Sequence, residues 1–172
     1  MDARSRKFDR SGFTLIEMLV VIIILGILAM IIIPQITVST EDAKLSTLQT
    51  SIRGMRSALE LYYNQHTNSY PGASSSVTKP SGVSTLGDVF AAQLSRYTDE
   101  AGNISNTKDA TFKFGPYMKD IPVNPFNKKS DVTIDSTVVD ITTKSSSGAG
   151  TGWKFYVKTG VLMAADGAHD TE

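Results

Sequence analysis

The chain has 172 residues, of which 41% are hydrophobic and 20% are charged. Seventeen basic residues balance seventeen acidic ones, and beyond the first ten residues no cluster of basic and aromatic side chains occurs, so nothing in the charge pattern supports nucleic-acid binding. The chain contains no cysteine, which excludes disulfides, thiolate metal sites and a cysteine nucleophile.

Hydrophobic residues are concentrated near the N-terminus. No charged residue occurs from Met18 to Thr40, and the apolar run from Met18 to Ile33 lies within that window. A helix of this length and composition can span a bilayer. The residues after the run form no convincing small-residue cleavage site, which makes a removable secretory signal the weaker interpretation. An excess of basic residues before the run favours a cytoplasmic N-terminus: Arg4, Arg6, Lys7 and Arg10.

A short motif precedes the apolar run: Gly12 is followed by Phe13, and Glu17 stands four residues further on. With its basic leader, this arrangement resembles the type IV pilin superfamily, which includes pilus subunits and the pseudopilins of type II secretion. The resemblance implies that a membrane aspartic prepilin peptidase cuts between Gly12 and Phe13 on the cytoplasmic side. The same enzyme methylates the new amine of Phe13, so that the leader, residues 1–12, is lost and the helix is kept.

Two interpretations of Glu17 compete. A carboxylate in the first turn of a helix is stabilised by the positive end of the helix dipole, and near the membrane surface it reaches water. With Gly12 and Phe13 beside it, the favoured interpretation is that Glu17 pairs with the charged amine of Phe13 on a neighbouring subunit. A lone buried charge is costly and a well-made pair recovers much of that cost, so the pair selects the register of assembly.

The helical pattern continues beyond the apolar run. Six residues recur at spacings of three and four and form one apolar stripe: Leu45, Leu48, Ile52, Met55, Leu59 and Tyr62. The sequence therefore predicts one helix from Phe13 to about Gln65. Its second half could form a short coiled coil, but packing on a sheet is favoured because strand-rich sequence follows. Gly26 and Pro34 weaken helices. In many type IV pili a matching Gly and Pro bound a segment that melts in the filament, so both are candidates for that role.

Residues 70–82 read as a loop, and a second helix is predicted from about Thr85 to Tyr97. Strand candidates follow at Phe112–Phe114, Val132–Ile134 and Val138–Ile141, and the clearest hairpin joins Trp153–Val157 to Val161–Met163 through Gly160. The predicted fold class is α+β: a pilin fold in which the long helix packs on a small antiparallel sheet. Residues 13–38 are expected to form a transmembrane and filament-core helix, and residues 39–172 a periplasmic or extracellular globular domain.

Three segments of the C-terminal half look like those of type II secretion major pseudopilins: Gly115–Met118, Ile121–Pro125 and Gly152–Gly160. Many pilus subunits close their last loop with a disulfide, which this chain lacks, so the resemblance favours a pseudopilin over a surface pilus subunit. The expected location is the bacterial inner membrane, single-pass with the N-terminus cytoplasmic, and then a periplasmic or cell-surface filament. The implied partners are further copies, minor pilins or pseudopilins, prepilin peptidase, the inner-membrane assembly platform and membrane lipid.

No pattern in the sequence specifies a reaction. His66 and His169 are the only histidines, and no metalloprotease, hydrolase or paired-carboxylate motif occurs. We therefore expect no enzyme activity; the alternatives to a filament subunit are a membrane-tethered binding module or enzyme. No cofactor is expected, although major pseudopilins often bind calcium, and the weak candidates for its ligands are aspartates: Asp131, Asp135, Asp140 and Asp166.

Overall fold

The structure is a computed structural model that describes residues 12–140 and 150–169, and within these ranges all side chains except those of residues 31–39. Helix α1 runs from Leu15 to Gln65, close to the predicted bounds. The chain divides into two compact units, Met1–Asp42 and Ala43–Glu172. Among the residues that the structure describes, none of the helices has the length and apolar character needed to cross a membrane. Membrane insertion of residues 13–38 stays a prediction.

In the first unit, the large apolar side chains are exposed. From Phe13 to Met30, every large hydrophobic side chain is between 47% and 86% exposed. The α1 backbone is helical through both Gly26 and Pro34. This is the helical state of a single chain, and melting of the segment in a filament stays a prediction.

In the second unit, the predicted apolar stripe of α1 forms the core. Leu48, Ile52, Met55 and Leu59 are each at most 1% exposed, and the partly buried Leu45 packs against the same cluster. They contact the buried side chains of Trp153, Phe155 and Leu162 in that cluster. Burying each large apolar side chain contributes about 1.5–3 kcal/mol. The predicted stripe is confirmed, because its residues lie in the core.

Helix α2 runs from Leu86 to Ser95 and begins at a capping box. The Thr85 hydroxyl accepts a hydrogen bond from the Asp88 amide at 3.1 Å, and the Asp88 carboxylate accepts one from the Thr85 amide at 2.9 Å. These bonds satisfy amides that the first turn of a helix leaves unpaired. A Cβ atom added at Gly87 would lie 2.2 Å from the carbonyl oxygen of Val132, so this glycine permits close packing of α2 on the strand that begins at Val132.

A three-stranded sheet contains β3 (Val132–Asp135), β4 (Trp153–Tyr156) and β5 (Val161–Ala164). The β4–β5 pair is the predicted antiparallel hairpin, and Gly160 has a φ of 70° in its turn. The β3–β4 pair is parallel, so the sheet is mixed where an antiparallel one was expected. A parallel pair needs a crossover of a dozen or more residues, and residues 136–152 supply it.

A second, two-stranded antiparallel sheet pairs β1 (Tyr97–Thr98) with β2 (Ile104–Ser105), which the sequence did not predict. The candidate strand Phe112–Phe114 is reduced to one bridge between Phe114 and Thr98. Residues 138–140 are not in a strand, and Ile141, the end of that candidate, lies outside the described residues. These segments are too short for an alternation of apolar and polar residues to identify them as strands.

Candidate functional site

The predicted processing junction lies immediately before α1. Gly12, Phe13 and Thr14 precede the first helical residue, and the side chain of Phe13 is 78% exposed. No atom lies within 4 Å of a Cβ built at Gly12. The peptide bond between Gly12 and Phe13 is therefore in an accessible, non-helical segment. Residues 1–11 of the predicted leader lie outside the described residues.

Glu17 forms a capping box with Thr14 at the start of α1. The backbone amide and the hydroxyl of Thr14 each donate to Oε2 of Glu17 at 2.8 Å. In return, the Glu17 amide donates to the Thr14 hydroxyl at 3.3 Å. Thr14 was not among the predicted site residues. Its sequence context nevertheless carries the signature of a capping box, a threonine followed three residues later by glutamate, before an apolar run.

This geometry gives Glu17 a function within a single chain, as the first-turn interpretation expected. Both hydrogen bonds from Thr14 end on Oε2, so the second carboxylate oxygen, Oε1, is not used by the capping box. A carboxylate can accept bonds on both oxygens. Capping within the chain and pairing with an amine of a neighbour are therefore chemically compatible, and the second role stays a prediction.

The aspartates named as calcium candidates are used in hydrogen bonds of their own. Asp135 accepts from the amide and the hydroxyl of Thr137 at 3.0 and 2.8 Å, and its Oδ2 lies 3.5 Å from Nζ of Lys154. The hydrogen bonds from the Thr137 amide and hydroxyl lower the pKa of Asp135 to about 2, with burial opposing them. Asp135 therefore already has a cationic partner in Lys154.

Asp166 lies in a separate cluster near the C-terminus. Its Oδ1 accepts from the amides of Ala168 and His169, both at 2.9 Å, and its Oδ2 accepts from the Asn124 side chain at 3.2 Å. Burial acts to raise the pKa of Asp166, but these hydrogen bonds outweigh it and lower the pKa. The ring of His169 stacks on Phe126 with centroids 3.8 Å apart.

The structure does not gather the four aspartates into one site. Asp131 precedes β3 and accepts from the Gly152 amide at 3.2 Å, whereas Asp135 ends the same strand, and Asp140 is in the following loop. Within residues 12–140 and 150–169, no group of three or more His, Cys, Asp or Glu side chains is placed to hold a metal ion.

The described geometry joins an exposed glycine–phenylalanine junction, a capped glutamate and an exposed apolar helix. A family model, the prokaryotic N-terminal methylation motif, matches residues 7–33 and so includes all three features. The N-terminal region is therefore similar to the methylation motif. This match covers residues 7–33 and does not extend into the second unit.

Curated relatives extend the likeness beyond the pilin motif. The chain is similar to type II secretion system core protein G, a major pseudopilin, of Pseudomonas aeruginosa, with 39% identity over 81 residues, 45% of this chain and 56% of that protein. The same protein of Vibrio cholerae is 26% identical over 145 residues, 81% of this chain and 82% of that protein.

A fimbrial protein of Neisseria meningitidis is 36% identical over 80 residues, 46% of this chain and 44% of that protein. The chain spans about half the length of the first core protein G relatives that it matches, 49–56%. No solved structure matches the chain significantly.

Proposed function

We propose that this protein is a structural subunit of a type IV pilus-like filament, namely the major pseudopilin of a type II secretion system, in a periplasmic pseudopilus that drives protein export. The observation that carries the proposal is the match of the methylation motif across Gly12, Phe13 and Glu17. A motif that directs cleavage before an apolar helix serves to release that helix with a new amine at its start, which a simple membrane tether does not need.

The exposed apolar surface of α1 supports assembly. The large apolar side chains from Phe13 to Met30 are between 47% and 86% exposed, and such a surface requires lipid or other protein to cover it. In the proposal, lipid of the inner membrane covers it before assembly, with the N-terminus cytoplasmic. Copies of the same chain, together with minor pseudopilins, cover it afterwards. Prepilin peptidase and the inner-membrane assembly platform act between the two states.

A surface type IV pilus subunit is the second candidate function, and the similarity to a fimbrial protein favours it. Two observations support the pseudopilin instead: the core protein G of Vibrio cholerae matches 81% of the chain, and the chain has no cysteine. Both candidates use the same helix-bundle assembly. The location of the filament, periplasmic or extracellular, distinguishes them.

The test is the intact mass of the membrane-extracted protein together with microscopy of cells that overproduce it. We expect a mature chain that starts at N-methylated Phe13, and we expect the cells to form filaments.

Gly12→Leu should leave the leader attached, because the peptidase requires a small residue at the cut. The matched control is Gly54→Leu, the same change at an exposed helical glycine with no atom within 4 Å of its Cβ position. Assembled protein that retains Met1 would contradict the proposal.

A further inference from the structure

His66 lies directly after α1, in the interior of the second unit, and only 1% of it is exposed. Its Nδ1 is 2.8 Å from the carbonyl oxygen of Tyr62, and its Nε2 is 2.9 Å from the hydroxyl of Thr98. The ring stacks on that of Tyr62, with centroids 3.6 Å apart and planes parallel within 1°. Both ring nitrogens and one ring face are therefore engaged.

These partners define the protonation state of the ring. A carbonyl oxygen only accepts, so Nδ1 must carry the hydrogen that reaches Tyr62. Nε2 of a neutral ring is then the acceptor, and the Thr98 hydroxyl donates to it. The Tyr62 carbonyl belongs to the last turn of α1, where carbonyls lack partners within the helix. A neutral His66 thus caps the end of α1 and holds Thr98 at the same time.

Through Thr98, the ring connects α1 to residues 97–117. The amide of Thr98 donates to the Phe114 carbonyl at 3.0 Å, and the Phe114 amide donates back at 3.1 Å. The Phe114 ring centroid is 5.2 Å from that of His66. One further bond joins the same two parts of the chain, from the Tyr117 hydroxyl to the Gln65 side chain at 2.6 Å.

We propose that His66, Tyr62 and Thr98 form a proton-sensitive latch that holds residues 97–117 to the end of α1. Protonation of Nε2 replaces the acceptor of the Thr98 hydroxyl by a donor, so that the hydroxyl must turn its hydrogen elsewhere. It also places a charge in the core, where an ionised group is costly. The latch then opens locally. This regulation of the fold goes beyond the proposed filament role and does not depend on it.

Few charged groups face the ring. Burial lowers the pKa of His66; hydrogen bonding to the backbone of Tyr62 and of Asp99, and the carboxylates of Asp99 and Glu100, oppose it without cancelling it. Asp99 is itself occupied by Asn103, which donates to its two oxygens at 2.9 and 2.8 Å.

The other titratable neighbours do not offset the charge on a protonated ring. Burial raises the pKa of Tyr62, and burial raises that of Tyr117 to about 12, so both phenols stay neutral when His66 titrates. Lys113, with Nζ 5.0 Å from the Phe114 ring centroid, adds positive charge rather than negative charge near this cluster. Since the pKa of folded His66 is lowered, the latch is fully formed above pH about 6.5 and opens as pH falls below it.

Protons can reach the ring without global unfolding. A cavity of about 130 Å³ is lined by His66 together with Tyr62, Gln93 and Glu100. Polar cavities of this size hold water molecules. A local response to pH is therefore expected, confined to the segments that the latch joins, before the core of α1 and the three-stranded sheet unfolds.

The experiment measures amide hydrogen exchange of the full chain in neutral detergent at about pH 7.5 and pH 5, the range in which histidine titrates. Rates are corrected for the intrinsic effect of pH. We expect the protection of the Thr98 and Phe114 amides to fall several-fold at the lower pH, while the amides of Ile52 and Met55 keep theirs. In His66→Gln this difference between the two pH values should disappear. His169→Gln, at the other histidine, is the matched control and should retain it.

Equal protection of Thr98 at the two pH values in the wild-type chain would overturn the proposal, as would an unchanged pH effect in His66→Gln. If His66→Gln fails to fold, the nitrogen resonances of His66 in the wild-type chain replace it. They should report hydrogen on Nδ1 at the higher pH, and their titration should coincide with the loss of Thr98 protection. Titration of His66 without that loss would also overturn the proposal.

Discussion

At the scale of single residues, Glu17 has a predicted role in assembly and, through Thr14, also stabilises the start of α1 within a single chain. The carboxylate caps α1 through Oε2, which gives it a favourable place in a chain that has not assembled. Gly12, Phe13 and Glu17 could be predicted as site residues from the sequence because the motif is local. Thr14 and His66 were missed: the first carries a local signature that was overlooked, and the second has a role only because folding brings Thr98 beside it.

Loss of the Thr14 hydroxyl should weaken the start of α1. Thr14→Val keeps the backbone bond to Glu17 and removes the two bonds that involve the hydroxyl. We expect a cost of about 1 kcal/mol, typical of a lost cap, seen as faster exchange of the Glu17 and Met18 amides in detergent. Thr14→Ser, which retains the hydroxyl, should behave as the wild type. Equal exchange in Thr14→Val would mean that the capping box contributes nothing.

Asp135 should make the folded state sensitive to acid. Its pKa is about 2 in the fold and about 3.9 in an unfolded chain. Stability from its hydrogen bonds is therefore present above pH about 4 and is lost as pH falls toward 2. Urea unfolding of Asp135→Asn should show lower stability at neutral pH and a smaller loss between these pH values than the wild type. Asp120→Asn, at an exposed position, is the control, and identical acid profiles for Asp135→Asn and wild type would refute the assignment.

At the scale of elements, the sequence predicted what repeats over many residues. The stripe from Leu45 to Tyr62 and the hairpin around Gly160 are regular patterns, and the structure confirms both. The parallel pairing of β3 with β4 was not predicted, because alternation within a strand does not determine which neighbour it pairs with or in which direction. β1 and β2 have two residues each, fewer than any periodic signal requires.

The contact of α2 with β3 depends on Gly87. A methyl group at this position would meet the Val132 carbonyl oxygen at 2.2 Å, so Gly87→Ala must displace backbone and should destabilise the fold by about 1–3 kcal/mol. Gly54→Ala is the matched control: it is also a helical glycine, its Cβ position has no atom within 4 Å, and alanine is the better helix former by up to about 1 kcal/mol. In urea denaturation, the free energy of unfolding should be lower than wild type for Gly87→Ala and higher than wild type for Gly54→Ala.

Two glycine variants that are equally stable would show that α2 does not pack on β3 as described.

At the scale of the whole molecule, the two compact units differ in how far their large apolar side chains are buried. The first exposes its large apolar side chains, whereas the second buries Leu48, Trp153, Phe155 and Leu162 completely, each at 0% exposed. The second unit therefore covers its own large apolar side chains, whereas in the proposed function lipid and then other subunits cover those of the first unit. This difference supports the proposal that the subunit is first in a membrane and then in a filament.

A fragment from about Ser39 to Glu172 should be soluble, fold and fail to assemble. It retains the core stripe of α1 and removes the exposed apolar residues. Circular dichroism should show a cooperative thermal transition, and light scattering should show a monomer. Leu48→Asp in the same fragment should abolish the transition, since it places a charge in the core. Filaments of ordinary dimensions formed by the fragment alone would show that residues 13–38 are not the assembly core.

The measurement that tests the central claim most directly is the number of filaments made by Glu17→Gln cells at matched protein levels. Glutamine also serves in a capping box, so this change keeps the bonds from Thr14 and removes only the charge. If Glu17 pairs with the Phe13 amine of a neighbour, an unpaired buried charge costs about 3–5 kcal/mol at every subunit. We predict processed protein that stays in the membrane with few filaments, and normal numbers for Glu41→Gln, the same change beyond the apolar run. Wild-type filament numbers for Glu17→Gln would contradict the paired-charge assembly.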